Sequence, residues 1–331
     1  MPLDPDLKNL LQMMEQIGMP DISKVTPEEF RDFNDNASVA LNHEEIPIAK
    51  VKDLDIPVDG GKVKARFYSG FESNALIIYF HGGGFVFGNL QTHDSVCRLI
   101  ARESGCNVLS VDYRLAPEYK FPTAVNDAYA AYSWVLDNSG SLGIAKERIG
   151  LAGDSAGGNL SAVISMKARD NGLQIPKVQL LFYPVVAADI SSKSHREFSD
   201  GFFLTGTLSA WFMKQYMNST ADFLNPDFAV MNSGDFSGIP ETIVFTAEYD
   251  PLRDQGESFV ARLRAGGTKA TGVRALGMIH GFASFYEISR SARNYVLMGG
   301  TCHRADSHGW QRLTATRDGN PRPCILEGYS D

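Results

Sequence analysis

Long hydrophobic runs, an excess of basic residues and clustered cysteines are all missing from this chain of 331 residues. No uninterrupted apolar stretch approaches the length of a membrane span, so we expect no membrane insertion. A net charge of −8 argues against nucleic acid or an anionic membrane surface as the main partner. The four cysteines (Cys97, Cys106, Cys302 and Cys324) lack the spacing of metal ligands, which predicts reduced thiols.

The first residues carry neither the basic nor the apolar region of a secretory signal peptide, so we expect a cytoplasmic protein. The composition, 44% hydrophobic and 21% charged, is that of an ordinary globular protein. A chain of this length should form one large domain, or a domain with an inserted cap.

Strand-like and helix-like segments alternate along the middle of the chain, which predicts a parallel sheet covered by helices. Two predicted helices in residues 1–45 precede this core, whose first part is residues 46–184. The alternation stops over 185–235, which is rich in Phe, Trp, Met and Ser, and it resumes over 236–298. We therefore predict that 185–235 is an insertion above the carboxyl edge of the sheet, where ligands bind in open α/β folds.

A nucleophile-elbow pattern, G-x-S-x-G, spans residues 153–157 between a predicted buried strand and a predicted buried helix. A sharp turn between the two would strain the backbone of Ser155, and side chains at 153 or 157 would collide with the neighbouring elements. The turn would also aim a helix N-terminus at any negative charge that develops beside Ser155. A helix-capping serine after a glycine turn would show the same pattern, so partners for Ser155 decide between the two interpretations.

An activated serine needs a base and an acidic residue that orients the base. Asp250 directly follows a predicted strand and is the favoured acid, although it could be a simple turn residue, and Glu248 and Asp254 are the alternatives. His280 lies on a loop after the last predicted strand and is the favoured base among seven histidines. The chain order Ser155, Asp250, His280 is that of α/β-hydrolases.

A glycine-rich segment, His81-Gly82-Gly83-Gly84, follows another predicted strand. Glycines there would let backbone N–H groups turn toward a pocket, and two of them together with the N–H of Ala156 could hold a tetrahedral oxyanion. A phosphate-binding loop is the competing interpretation, but no Gly-Lys-Ser/Thr follows.

In combination these motifs closely resemble the hormone-sensitive-lipase-like family of bacterial carboxylesterases. The residues that carry the resemblance are His81 to Phe85, Val111 to Glu118, Gly153 to Asn159, Asp250 to Asp254, and His280 to Phe282. The resemblance extends from the N-terminal helices to about residue 298. It implies an α/β-hydrolase fold, with a mostly parallel central sheet flanked by helices and a helical cap. The N-terminal helices and an insertion over 185–220 would form that cap.

The resemblance also implies a serine carboxylesterase that works through an acyl-enzyme, and a short cap would leave room only for short- to medium-chain acyl esters. Its site residues would be Ser155 as nucleophile, His280 as general base and acid, Asp250 as its orienting residue, and Gly83, Gly84 and Ala156 as oxyanion donors. No metal or cofactor is expected, the partner is a small ester, and a homo-oligomer is possible. A lactonase, amidase or peptidase could use the same constellation. A non-catalytic ligand receptor on this fold is the alternative from another class, but it would have no use for the base.

Aromatic residues of the insertion could wall an acyl pocket, and we assign Phe203, Leu204, Trp211 and Phe212 to it, with Phe202 nearby. The alternative is that these side chains are only the core of the cap.

The last part of the chain departs from the family pattern. We expect Gly299-Gly300 to break the C-terminal helix, leaving residues 299–331 as an atypical, loosely ordered tail from a frameshift, a cloning junction or a recent replacement. The strand face thereby exposed would favour self-association.

Overall fold

The computed structural model describes residues 1–18, 21–41, 46–302, 304–306 and 309–311. Its strands are β1 (Lys50–Val58), β2 (Gly61–Ser69), β3 (Leu76–Phe80), β4 (Asn107–Asp112), β5 (Ile149–Asp154), β6 (Val178–Phe182), β7 (Glu241–Tyr249), β8 (Ala270–Ile279), β9 (Arg304–Asp306) and β10 (Gly309–Gln311). The first eight strands form one sheet in the order β1-β2-β4-β3-β5-β6-β7-β8. The pairs β1–β2 and β2–β4 are antiparallel, and every later pair in that sheet is parallel. The predicted mostly parallel sheet is confirmed.

Helices cover both faces of this sheet. They are α1 (Pro5–Ile17), α2 (Pro27–Leu41), α3 (Asp94–Ser104), α4 (Thr123–Leu142), α5 (Ala156–Asp170), α6 (Lys193–Phe198), α7 (Gly206–Tyr216), α8 (Arg253–Ala265) and α9 (Arg290–Cys302). One core cluster joins the sheet to α4, α5 and α8, and a second joins its other face to α1, α3 and α9. All five residues of β3 are buried, which explains its continuous apolar sequence.

The first two helices begin at capping residues. The Asp4 side chain accepts hydrogen bonds from the backbone N–H groups of Asp6 and Leu7 at the start of α1. At the start of α2, Thr26 and Glu29 form a reciprocal capping box. Both helices have proline at their first position, where its missing N–H costs nothing.

The insertion between β6 and β7 contains α7, which coincides with a helical sequence pattern at about 207–217, and the short helix α6, for which no pattern was identified. Among the described residues, no helix combines the length and the apolar character needed to cross a bilayer.

The predicted helix break at Gly299-Gly300 is wrong, because α9 continues through both glycines to Cys302. A Cβ on Gly299 would lie 2.8 Å from the Phe182 ring, and one on Gly300 would lie 2.9 Å from the Glu103 Cβ. The glycines therefore let the helix pack closely on β6 and α3, and this packing outweighs their low helix propensity of about 1 kcal/mol each. The helix thus covers part of the sheet that a break would have exposed. Beyond it, β9 and β10 pair antiparallel, and most of the predicted loose tail lies outside the described residues.

Candidate active site

Ser155 lies on the sharp turn between β5 and α5, with φ 51° and ψ −114°. A positive φ is unusual for a residue with a side chain and marks local strain. A Cβ on Gly157 would overlap the carbonyl oxygen of Phe80 on β3, and a Cβ on Gly153 would overlap the backbone of Gly157. Because these obstacles are backbone atoms, only glycine fits at either position. The turn therefore requires the glycines that the motif supplies.

The structure brings the three predicted catalytic side chains into one hydrogen-bonded chain. The Nε2 atom of His280 lies 2.9 Å from the Ser155 Oγ, and its Nδ1 atom lies 2.8 Å from Asp250 Oδ2. Asp250 follows β7 and His280 follows β8, so adjacent parallel strands deliver them to the same edge of the sheet. Asp250 is fully buried and the other two side chains are nearly so.

The alternative acids are engaged elsewhere. Glu248 pairs with the N-terminal ammonium and accepts a hydrogen bond from the Gly277 N–H. Asp254 accepts a hydrogen bond from the N–H of Ser194. The second oxygen of Asp250 accepts a hydrogen bond from the Leu252 N–H at 2.8 Å, which fixes its carboxylate toward the imidazole.

Tyr183 supports the His280 loop and was missed by the sequence analysis. Its ring packs against the imidazole with centroids 4.7 Å apart, and its hydroxyl accepts a hydrogen bond from the Ala283 N–H at 3.2 Å. Tyr183 also has a positive φ of 37°. A tyrosine just after a buried strand resembles any core residue, so nothing local in the sequence marks it.

The glycine-rich segment forms a tight turn beside Ser155. Gly83 and Gly84 have φ of 109° and 60° and line the same cavity as Ser155. The N–H groups of Val86 and Phe87 both donate to the carbonyl of Gly83, which closes the turn. Ala156 is the first residue of α5, so its N–H belongs to the positive end of that helix.

A buried polar cluster lies under this turn. Asp154 Oδ1 accepts hydrogen bonds from the Tyr79 hydroxyl at 2.7 Å and from the Gly82 N–H at 2.9 Å, with His93 Nε2 3.4 Å away. Burial alone would raise the pKa of the Asp154 carboxyl, but His93 and the hydrogen bonds hold that pKa below its ordinary value. The carboxylate therefore stays charged and can anchor the glycine turn.

His81, at the start of the glycine-rich segment, is neutral. Burial, together with the electrostatic effect of the nearby His93, lowers the pKa of the His81 imidazole to about 3. Its ring stacks on Tyr113 at 4.3 Å between centroids, and the Tyr113 hydroxyl donates to the His81 carbonyl at 2.8 Å. This segment is thus fixed by packing as well as by hydrogen bonds.

The sequence family described as alpha/beta hydrolase fold matches residues 77–284. The chain belongs to this α/β-hydrolase family. Its relatives include an arylesterase of Saccharolobus solfataricus, 40% identical, with the match covering 88% of this chain and 95% of the relative. An ethyl acetate hydrolase of Pseudomonas putida is 31% identical over 90% of this chain and 97% of that protein. The solved hyperthermophilic esterase of Pyrobaculum calidifontis superposes with a TM-score of 0.87 at 42% identity, covering 91% and 98% of the two chains. The resemblance to hormone-sensitive-lipase-like carboxylesterases is confirmed.

The cavity of this α/β-hydrolase includes Ser155 and His280 in its lining, and Phe and Tyr rings form a large part of its wall. Of the residues assigned to the acyl pocket, Phe203, Leu204 and Phe212 line the cavity. The assignment of Trp211 is wrong, because its side chain does not line the cavity. Its ring instead packs against Phe30, with the ring centroids 4.8 Å apart. Phe202 also lies outside and packs on Phe198 and Tyr249. For these two residues the alternative interpretation, packing within the cap, is the one that holds.

The wall of the hydrolase cavity also includes residues of α2 that the sequence analysis did not single out. Phe30, Asn34 and Ser38 line the cavity. They are spaced four residues apart and so share one face of the helix. This spacing is visible in the sequence and could have indicated a common face. Among the described residues, no cluster of three or more His, Cys, Asp or Glu side chains is arranged to hold a metal ion.

Proposed function

We propose that this α/β-hydrolase is a serine-type carboxylic ester hydrolase. The observation that carries the proposal is the continuous hydrogen-bonded chain from Asp250 through His280 to Ser155, with steps of 2.8 and 2.9 Å. A general base aimed at a strained serine is the arrangement needed for nucleophilic attack. A ligand receptor on the same fold would have no use for it.

The reaction follows from this geometry. His280 Nε2 accepts the proton of Ser155 as Oγ forms a bond to the ester carbonyl carbon. The negative charge on the carbonyl oxygen is stabilised by the N–H groups of Gly83, Gly84 and Ala156. The bond to the alcohol then breaks, with His280 returning the proton to the leaving oxygen. Water, deprotonated by the same imidazole, then forms a bond to the acyl carbon. The bond to Oγ breaks as His280 returns the proton to Ser155, which releases the acid.

Short- to medium-chain acyl esters are the proposed substrates. Phe203 and Phe212 from the insertion and Phe30 from α2 line the cavity, and these bulky side chains support a preference for short or medium acyl chains. The similarity to an arylesterase and an ethyl acetate hydrolase supports small esters. Lactones and amides are open to the same chemistry, and anilides represent the amides in the test.

The site supplies nucleophile, base and oxyanion donors from the chain itself, so the proposed mechanism needs no metal or cofactor. Cytoplasmic location is part of the proposal and is supported by Cys97 and Cys106, whose buried side chains are thiols rather than disulfides. The net charge of −8 fits a small-molecule partner better than nucleic acid. Assembly into a homo-oligomer stays a prediction.

The test is Ser155→Ala, assayed with a panel of p-nitrophenyl esters of rising chain length and matching anilides. Removal of the nucleophile should lower kcat/KM by about a thousandfold or more, while the unfolding temperature stays close to that of the wild type. Ser141→Ala, on an exposed position of α4, is the matched control and should keep wild-type rates. Near-normal turnover by Ser155→Ala would refute the proposal, and faster cleavage of anilides than of esters would favour an amidase.

A further inference from the structure

The loop over residues 82–89, which includes the end of the glycine-rich segment, has a left-handed backbone at four positions. Gly83, Gly84, Phe85 and Gly88 have φ of 109°, 60°, 63° and 92°. Phe85 carries a side chain, so its left-handed conformation is costly. Strained backbone of this kind persists only where surrounding contacts over-determine it. The contacts that hold this loop therefore bear on the proposed oxyanion donors Gly83 and Gly84.

Helix α2 supplies contacts from the cap side. The Arg31 guanidinium donates through Nε to the Val86 carbonyl at 2.8 Å and through Nη2 to the Ala116 carbonyl at 3.1 Å. Because Ala116 N–H donates to the Phe85 carbonyl at 2.8 Å, Arg31 joins two segments that already contact each other.

Asp35, one helical turn further along α2, holds the end of the loop. Its Oδ1 accepts a hydrogen bond from the Gly88 N–H at 3.2 Å, and its Oδ2 accepts one from Asn89 Nδ2 at 2.8 Å. Residues four apart share a helix face, so Arg31 and Asp35 act on the loop together. Neither contact involves the reacting atoms.

The hydrogen bonds continue from Asp35 back to the other end of the loop. Asn89 N–H donates to the Thr92 hydroxyl, whose Oγ1 lies 2.8 Å from His93 Nδ1. His93 Nε2 lies 3.4 Å from Asp154, which accepts from the Gly82 N–H. Hydrogen bonds thus hold the loop at Gly82 from the core side and at Val86 and Gly88 from α2.

We propose that Arg31 and Asp35 are positioning residues for the oxyanion hole. Helix α2 then has a second role beyond lining the cavity, since it fixes the backbone whose N–H groups stabilise the oxyanion. This inference rests on the proposed esterase function. Oxyanion donors act mainly on the transition state, so a displaced donor lowers kcat while KM changes little. Small displacements are enough to produce a large effect.

Asp35→Asn tests the proposal because the variant keeps the size of the side chain. An amide NH₂ group would face one of the two donors, the Gly88 N–H or Asn89 Nδ2, so one hydrogen bond is lost. We expect kcat on a p-nitrophenyl ester to fall about tenfold, with KM within about twofold of wild type. Asp32→Asn is the matched control, since it removes the same charge from an exposed position of the same helix. It should leave both constants unchanged.

A transition-state analogue separates positioning from general loss of structure. Ser155 Oγ adds to the carbonyl carbon of an aryl trifluoromethyl ketone while His280 takes its proton. The resulting oxyanion occupies the position of the oxyanion that forms during ester hydrolysis. For Asp35→Asn, its inhibition constant should rise by the same factor by which kcat/KM falls. Arg31→Lys keeps the positive charge but loses the paired hydrogen bonds to the Val86 and Ala116 carbonyls. Its kcat/KM should fall, and its inhibition constant should rise, by a smaller factor. Glu118→Gln removes only the ion pair to Arg31 and is its control.

Unchanged kcat and unchanged ketone inhibition in both Asp35→Asn and Arg31→Lys would overturn the proposal. So would a rise in KM alone, because it would assign these residues to substrate binding. If either variant fails to fold, the other decides. Wild-type enzyme without esterase activity, or an active Ser155→Ala, would instead refute the proposed function, so the two failures are distinguishable.

Discussion

The catalytic edge of the sheet and the cap wall above it are built by different means. At the catalytic edge, backbone atoms pack against backbone atoms, as where Gly157 meets the Phe80 carbonyl, and polar side chains are joined by hydrogen bonds such as that of 2.9 Å between His280 and Ser155. The cap wall is built from rings, with Phe212 lying on Gly84 and Phe203 lying on Gly281. A ring can move or be replaced by another apolar group of similar size, whereas a backbone atom cannot. The comparison predicts that substitutions at the edge abolish the reaction, while those in the wall change its substrate preference.

Among the packing substitutions that test this comparison, the largest effect is expected at the edge, from Gly157→Ala. The added methyl group would overlap the Phe80 carbonyl oxygen and force the elbow apart. We expect kcat/KM to fall by about a hundredfold or more, with a lower unfolding temperature, because Ser155 would lose its alignment with His280. Gly140→Ala in α4 is the control, since no atom lies within 4 Å of its new Cβ. Wild-type kinetics in Gly157→Ala would contradict the predicted difference between the catalytic edge and the cap wall.

A smaller effect is expected in the wall, from Phe212→Ala. Loss of this ring enlarges the cavity beside Gly84, so the preference should shift toward longer acyl chains by a few-fold in relative kcat/KM. The rate on the acetyl ester should stay within about threefold of wild type, because the catalytic residues are untouched. Trp211→Ala removes the neighbouring ring, which lies outside the wall, and should not shift chain-length preference. An equal shift in both variants would show that the cap responds as a whole.

The smallest effect on activity is expected from Asp112→Asn. This variant instead tests how much a buried carboxylate near the catalytic edge lowers the free energy of unfolding. Burial, with the nearby charge of Asp35, raises the pKa of Asp112 from 3.8 to about 6. Because the folded pKa exceeds the unfolded one, the stability that this group contributes is present below about pH 4 and is lost as the pH rises through about 6.

Asparagine resembles the protonated form at every pH, so the variant should gain stability over the wild type as the pH rises. We expect a gain of about 1 to 2 kcal/mol in the free energy of unfolding at pH 7 and little at pH 4. Urea unfolding at the two pH values measures it, with the exposed Asp32→Asn as control for the change in charge. Equal gains at both pH values would contradict the prediction.

Much of the edge could be predicted from the sequence because its chemistry demands particular residue types at short spacings. The glycines around Ser155 and the continuous apolar run of β3 are local consequences of the turn and of burial on both faces. The positions of Asp250 and His280 followed from strand order, since parallel strands end at the same edge.

Features that depend on distant partners could not be predicted in this way. The contact from Arg31 to the Val86 carbonyl joins residues 55 positions apart, and no local pattern records it. Gly299 and Gly300 look like helix breakers until Phe182 and Glu103 are placed beside them. Trp211 and Phe212 are adjacent aromatic residues with similar burial preferences, so only the orientation of α7 distinguishes which one faces the cavity.

The wall has a consequence for how this enzyme can evolve. The parts of the wall that belong to the cap, α2 and the insertion, supply no strand to the central sheet. Mutations that reshape the wall therefore leave both the sheet and the Ser155–His280–Asp250 chain in place. Selection can explore new acyl or alcohol groups at these positions without first giving up catalysis. The exception is the Arg31–Asp35 face of α2, where a change made for a new substrate would also alter the rate on every substrate.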